Sequence, residues 1–235
     1  MLSAATVVIG FHSHGSVVSK FCYSLCRAVA YEGGKIKSVI EHTSPYTDDS
    51  RNKIVQTFLA LPYVDYLLMV DADLEFEKDA ISKTMWIAQH TGADVVWGNY
   101  ALGNFTNSMF RKDPDSDLAI SATADEVEPD KIYEGIYAGG TGWCLMRRDL
   151  LEAMKDEYPA PWHWFDRDTV IGQNNEKVKL GEDLTFGKRV FQMKGRKQVG
   201  YTGLNLIHHK MHATVPIFMA KEQKGDVHIM TPQGS

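Results

Sequence analysis

The chain has 235 residues, 44% of them hydrophobic and 23% charged, the make-up of an ordinary globular protein with one substantial core. A net charge of −5 speaks against a domain built chiefly to grip a nucleic-acid backbone. No apolar run approaches the roughly 20 residues that cross a bilayer, and residues 1–6 lack the basic region of a signal peptide. The expectation is therefore a cytoplasmic protein with one domain over residues 1–235, ending in a polar tail over about 213–235.

Strand and helix signals alternate, the signature of βαβ layering and hence of an α/β fold. Residues 6–11 read as a buried strand, 12–16 as a polar loop, about 17–30 as a helix and 36–41 as a second strand. Residues 51–61 have helical spacing, with Ile54, Val55, Phe58 and Leu59 on one face. An apolar strand from Tyr66 then runs into Asp71-Ala72-Asp73, followed by a helix over 78–90 and a strand over 93–97. The pattern weakens over 99–130, which reads as a surface loop or excursion. Order returns at Ile132-Tyr133, and Gly139-Gly140-Thr141-Gly142-Trp143 leads into Cys144-Leu145-Met146 and a helix over about 149–155. An aromatic loop, 159–165, precedes Gly181-Glu182-Asp183 and a helix through Met193; residues 197–201 are the last strand candidate before 204–212. Cys22, Cys26 and Cys144 form no disulfide framework, and Cys22 and Cys26, one helical turn apart, read as small buried residues.

Five groups could carry chemistry. Side chains alternate along a strand, so Asp71 and Asp73 would project together from the carboxyl end of theirs, where open α/β sheets bind ligands. Neighbouring carboxylates repel unless a cation sits between them, and Mn²⁺ or Mg²⁺ bridging to phosphate oxygens fits that need. Glu182 and Asp183, at a helix start, complement the helix dipole or serve as a general base. In His208-His209-Lys210-Met211-His212, histidines four apart share a helical face and suit a metal. The glycines of 139–142 permit close backbone approach to a ligand. Trp162, His163, Trp164 and Phe165 form either a stacking surface or a packed loop. Each group taken alone is unspecific.

Their order along the chain is more specific. A first strand with a polar loop, Ser50-Arg51-Asn52 opening a helix, the strand into Asp71-Ala72-Asp73, Gly139 through Arg148, Gly181-Glu182-Asp183-Leu184-Thr185-Phe186 and a late histidine follow in sequence. Over roughly residues 5–212 this series resembles the GT-A nucleotide-sugar glycosyltransferases, especially the short single-domain members of bacteria and their phages. The resemblance implies a Rossmann-like mixed central sheet flanked by helices. It further implies transfer of a sugar from a nucleotide-diphosphate sugar, such as a UDP-sugar, to a hydroxyl on a glycan, a protein or a hydroxymethylated DNA base. Phe11, His12 and Ser13 would lie against the nucleoside, Arg51 and Asn52 near the base or diphosphate, and Ala72 among the nucleotide contacts. Asp71 would meet ribose or metal, Asp73 would be the principal ligand of Mn²⁺ or Mg²⁺, and His208 would complete the metal shell, with His209 or His212 as alternatives. Gly140, Thr141, Gly142 and Trp143 would line the sugar and acceptor pocket, and Asp183 with Glu182 would hold or deprotonate the acceptor.

Two other classes compete. Phe11-His12-Ser13-His14 after a first strand, with the late histidines, suits a Zn²⁺-dependent hydrolase of the amidohydrolase or PHP type, but leaves Asp71, Asp73, Glu182 and Asp183 without roles. A non-catalytic nucleotide- or glycan-binding module has less need of Asp183 beside Asp73.

Overall fold

The structure, a computed structural model, describes residues 5–102, 106–116, 118–122, 126–172, 176–210 and 213–216. His212, residues 1–4 and residues 217–235 of the expected tail lie outside them. In chain order, β1 (Val7–Ser13) leads to α1 (Ser19–Glu32), β2 (Ile36–Thr43) to α2 (Thr47–Ala60), and β3 (Tyr66–Asp71) through β4 (Leu74–Glu75) to α3 (Ala80–Thr91). Next come β5 (Val95–Gly98), β6 (Met109–Lys112), β7 (Ala119–Ser121), β8 (Ile132–Glu134), β9 (Ala138–Gly139) and β10 (Trp143–Arg147). They are followed by α4 (Arg148–Glu157), the antiparallel pair β11 (Thr169–Ile171) and β12 (Lys177–Lys179), α5 (Glu182–Gln192), β13 (Gln198–Tyr201), β14 (Ile207–Lys210) and β15 (Ala213–Pro216).

The central sheet has seven strands in the order β2-β1-β3-β10-β5-β13-β8. β2, β1 and β3 are mutually parallel, as are β5 and β13, whereas β10 runs antiparallel between β3 and β5, and β8 closes the edge antiparallel to β13. Strands covered on both faces need apolar residues at every position, and β3 is buried at all of its first five. Strand alternation sorts these residues into two cores. Val7, Ile9, Phe11, Leu68, Val70 and Leu145 pack with α1 and α3, while Val8, Leu67, Met69, Cys144 and Met146 pack with α2, α4 and α5. None of the helices among the described residues is long and apolar enough to cross a membrane.

Several expectations need correction. β3 stops at Asp71, and residues 72 and 73 turn into β4, so Asp71 and Asp73 do not share one strand face. The 99–130 excursion carries β6 and β7, which build a three-stranded sheet with β9. The late histidine run is not helical: His208 and His209 sit on β14 between β4 and β15, so the tail's first four residues are paired strand. Cys22 and Cys26 are exposed rather than buried, because they fall on the outer side of α1 while Phe21, Ser24 and Ala28 face the core.

The aromatic loop packs into the core through Trp164 and Phe165, while Trp162 and His163 are half-buried. Trp164 and Phe165 are at most 1% exposed. Trp164 Nε1 donates to the Leu151 carbonyl at 2.7 Å, and Phe165 stacks on Phe186 with ring centroids 4.9 Å apart. Asn52 staples this loop to α2. Its Nδ2 donates to the Phe165 carbonyl at 2.6 Å, and its Oδ1 accepts from the Trp164 and Phe165 amides. Asn52→Leu would strand those buried groups, so a loss of about 2–4 kcal/mol is expected in urea unfolding. A stability within error of the parent would refute the staple.

Candidate functional site

Parallel strands deliver their carboxyl ends to one edge of the sheet. The segment after β1, the 71–73 turn after β3, Tyr100 just beyond β5 and Gly140–Gly142 entering antiparallel β10 all gather there. A cleft of about 730 Å³ opens at this edge. It is bounded by His12, Ser13 and His14, by the 71–73 turn, by Thr47 and Arg51 of α2, by Glu182 of α5 and by His209. A slightly larger hollow of about 820 Å³ lies at the opposite edge around Thr6, Asp65, Arg147 and Asp149. Its polar groups are paired with one another, Thr6 with Asp65 and Arg147 with Asp149, which leaves the first cleft as the candidate.

Arg51 sits in the middle of α2 rather than at its opening, and its guanidinium is buried. It donates to Glu182 Oε1 at 2.6 Å and to Asp71 Oδ1 at 3.2 Å. Burial alone would weaken its charge, but Asp71, Glu182 and Asp183 outweigh that and raise its pKa. Asp71 is thereby turned toward Arg51 rather than toward Asp73. Asp73 instead meets His208, Oδ2 to Nε2 at 2.9 Å, and this bond raises the His208 pKa against the effect of burial. His209, on the opposite side of β14, meets Glu75 at 2.9 Å.

Four buried side-chain polar atoms among the described residues make no well-formed hydrogen bond: His12 Nδ1, Asp73 Oδ1, Thr141 Oγ1 and Asn99 Oδ1. Such atoms are rare in folded proteins, and three of these belong to residues already singled out in this region. Asp73 Oδ1 beside His208 Nε2 is a mixed oxygen and nitrogen pair that suits Mn²⁺ or Mg²⁺ with water and phosphate filling the remaining positions. No group of three or more His, Cys, Asp or Glu among the described residues is arranged to hold a metal unaided. Asp71, the third of the expected metal residues, is held by Arg51, whose guanidinium lies 3.2 Å from its Oδ1.

Asp183 follows Glu182 in the first turn of α5, with Oδ1 accepting from the Leu184 amide at 2.8 Å. It keeps some accessible surface, yet burial pushes its carboxyl up to about 6 despite the opposing charge of Arg51. Tyr100, which the motif pattern missed, is fully enclosed next to these acids, and burial raises its pKa well above the ordinary value. Its hydroxyl accepts from the Gly142 amide at 3.1 Å, and its ring meets His208 edge-on at 5.8 Å. The available signal was its place, two residues past the carboxyl end of β5. Gly140 and Gly142 are small because of Tyr100: a methyl group on either would collide with its hydroxyl, and one on Gly142 would also come within 2.7 Å of Asp71 Oδ2.

Among the expected ligand contacts, His12, Ser13, Arg51, Asp71 and Ala72 line the cleft. Phe11, Asn52, Gly140, Thr141, Gly142 and Trp143 are not among its lining residues. Phe11 points to the opposite face of β1 and packs edge-on against Phe21 at 5.0 Å. Asn52 is spent on the aromatic loop, as described above. Trp143 is fully buried against Phe76, with Nε1 donating to Thr84 Oγ1 at 3.0 Å.

No protein-family model matches this sequence, and no curated protein does. Solved structures do match. A197 from STIV superposes with a TM-score of 0.59 at 18% identity, over 87% of this chain and 86% of that one. GalNAc-T7, crystallised with UDP, GalNAc and Mn²⁺, superposes with a TM-score of 0.54 at 10% identity, over 88% of this chain and 44% of that one. This chain thus spans less than half the length of GalNAc-T7. Identities this low speak to the fold, which is mixed α/β of the GT-A kind.

Two stability experiments test the site's construction. Gly140→Ala should cost about 1–3 kcal/mol by overpacking against Tyr100, and Tyr100→Phe about 1 kcal/mol through the lost acceptor. The double variant should cost less than the two together, and simple additivity would show that the hydroxyl is not what Gly140 accommodates. For Asp183, the folded carboxyl near 6 keeps its proton at pH values where the unfolded one, near 3.8, has lost it. Its contribution is complete below the lower value and lost as pH rises through the upper. Asp183→Asn should therefore gain on the parent by on the order of 2–3 kcal/mol between about pH 4 and pH 7. A pH-independent difference would contradict the raised value.

Proposed function

We propose that this protein is a metal-dependent glycosyltransferase that moves a sugar from a nucleotide-diphosphate sugar, of the UDP-sugar kind, to a hydroxyl acceptor. The observation that carries this reading is the charge of the cleft. Asp71, Asp73 and Glu182 line it against the single guanidinium of Arg51, which is already engaged by two of them. A diphosphate cannot enter such a site on its own, whereas a divalent cation at Asp73 makes it welcome. The GT-A fold shared with GalNAc-T7 agrees with it.

In this reading Asp73 and His208 hold Mn²⁺ or Mg²⁺, which when bound offsets the negative charge that develops on the departing nucleoside diphosphate. The nucleoside lies along His12, Ser13 and Ala72. The residues preceding α1, Val17 and Val18, and the first residue of α2, Thr47, also line the cleft, so two helix N-termini present partial positive charge to phosphate oxygens. Arg51 holds Asp71 and Glu182 in place and leaves Asp73 for the ion. Asp183, with a pKa near the working range, is suited to take the acceptor hydroxyl's proton as the new C–O bond forms. That role belongs to an inverting reaction; in a retaining one Asp183 positions the donor sugar. Tyr100 holds the Gly142 amide through its hydroxyl and meets the ring of His208 edge-on.

A screen of UDP-, GDP- and other nucleotide sugars with Mn²⁺, read by released nucleotide, tests the reading. Turnover should appear with one donor class and vanish with EDTA. Asp73→Asn should reduce it by about a hundredfold or more with an unchanged melting curve, and an active variant would sink the metal assignment. Asp183→Ala should reduce transfer by roughly 10²-fold or more while nucleotide affinity is kept. Full transfer by that variant would refute its role.

A further inference from the structure

We propose that His12 and His14 form a separate cation site at the mouth of the cleft, one that takes a borderline divalent metal of the Zn²⁺ type. The two rings meet edge-on, with Nε2 of one 3.2 Å from Nε2 of the other. Two ring nitrogens this close share either a proton or an ion. At Zn–N distances of about 2.0–2.1 Å, both nitrogens reach a single ion with an angle of about 100° between them, within the range that tetrahedral and octahedral geometries span.

The bracket that brings them together is built into the chain. Positions 12 and 14 flank Ser13, whose hydroxyl donates to Glu41 Oε1 at 2.6 Å, contacts Thr43 Oγ1 at 3.1 Å and accepts from the Gly15 amide at 3.3 Å. Gly15 then turns the chain away with φ of +89°, a conformation that favours glycine. His12 emerges from the end of β1, while exposed His14 leaves the pair open to exchange with solvent. Both line the cleft, so positions not taken by imidazole face water or the oxygens of an anionic ligand.

The donor chemistry separates this pair from Asp73 and His208. Two imidazoles without a carboxylate suit Zn²⁺, Ni²⁺ or Cu²⁺, whereas oxygen-rich sites suit Mg²⁺ and Mn²⁺. With no third His, Cys, Asp or Glu completing it among the described residues, the site is open and exchangeable rather than structural. It does not rest on the sugar-transfer reading, which places the same His12 beside the nucleoside, since the bracket alone carries it.

Calorimetric titration of the full, EDTA-stripped chain with ZnCl₂ tests it without any activity assay. A Zn²⁺ binding event is expected in the parent. It should persist in Asp73→Asn, in His208→Ala and in the Cys22→Ser/Cys26→Ser double variant. In His14→Ala it should weaken by at least the roughly 10–100-fold that losing even an outer-shell partner costs a metal site. His14 is exposed, so a matching melting curve will establish that the variant is folded. An unchanged isotherm in His14→Ala, or loss of binding in the aspartate or cysteine variants instead, would overturn the proposal and show that the two rings share only a proton.

Discussion

A guanidinium shut away from water between two carboxylates holds the candidate site together. Arg51 joins α2, the end of β3 and the start of α5 through Asp71 and Glu182. Leaving such a charge buried without a partner costs about 3–5 kcal/mol, so the three elements cannot drift apart cheaply. The pairing also decides what each acid is free to do. Asp71 and Glu182 are committed to Arg51, Asp73 is left to His208, and Asp183 stands next to the cluster without a direct bond to it.

Burial sorts the remaining titratable groups around this cation. Cys144 and Tyr100 are both enclosed, and desolvation pushes both well above their ordinary values, so each stays neutral. They serve packing and hydrogen bonding, not nucleophilic attack. In Asp183 the same force leaves a value of about 6, where a carboxyl can change its charge near neutral pH. His12 moves the other way: burial, His14 and Arg51 lower its pKa against the opposing pull of Asp71, and the balance favours the neutral imidazole. The region therefore mixes fixed charges with groups whose charge responds to a ligand.

Much of the fold was legible in the residues because buried parallel strands have so few ways to be written. The apolar runs ending at Phe11, Asp71 and Trp97 marked three strands of the central sheet, β1 beside β3 and β5 one strand further across β10, and their carboxyl ends marked the cleft. What failed was orientation. Phe11 and His12 are adjacent, but strand alternation sends one into the α1 core and the other toward Arg51. Trp143 follows a glycine run that suggests a pocket, and the same alternation turns it inward. Arg51 and Asn52 looked like a pair, yet the helical step between them aims one at the acids and the other at Phe165. Tyr100 carried no motif at all, since its importance comes from where β5 ends and how Gly140 and Gly142 fit around its hydroxyl. Pattern gives spacing along an element, and these side chains are decided by which way the element faces.

The same consideration bears on the basic residues in and after α5. Lys188, Arg189, Lys194, Arg196 and Lys197 look like a basic patch when read along the chain, suited to a phosphate backbone. In the fold four of the five are turned to an acid: Lys188 to Asp168, Arg189 to Asp166, Arg196 to Asp94 and Asp149, and Lys197 to Glu134. Arg189 also supports the carbonyls of Trp162 and His163, which ties it to the aromatic loop. Charges spent in this way hold α5 and β13 to their neighbours and present little net positive field to a polyanion. The −5 net charge points the same way. Paired in this way, the basic residues hold the fold together more than they offer a binding face to a nucleic-acid backbone.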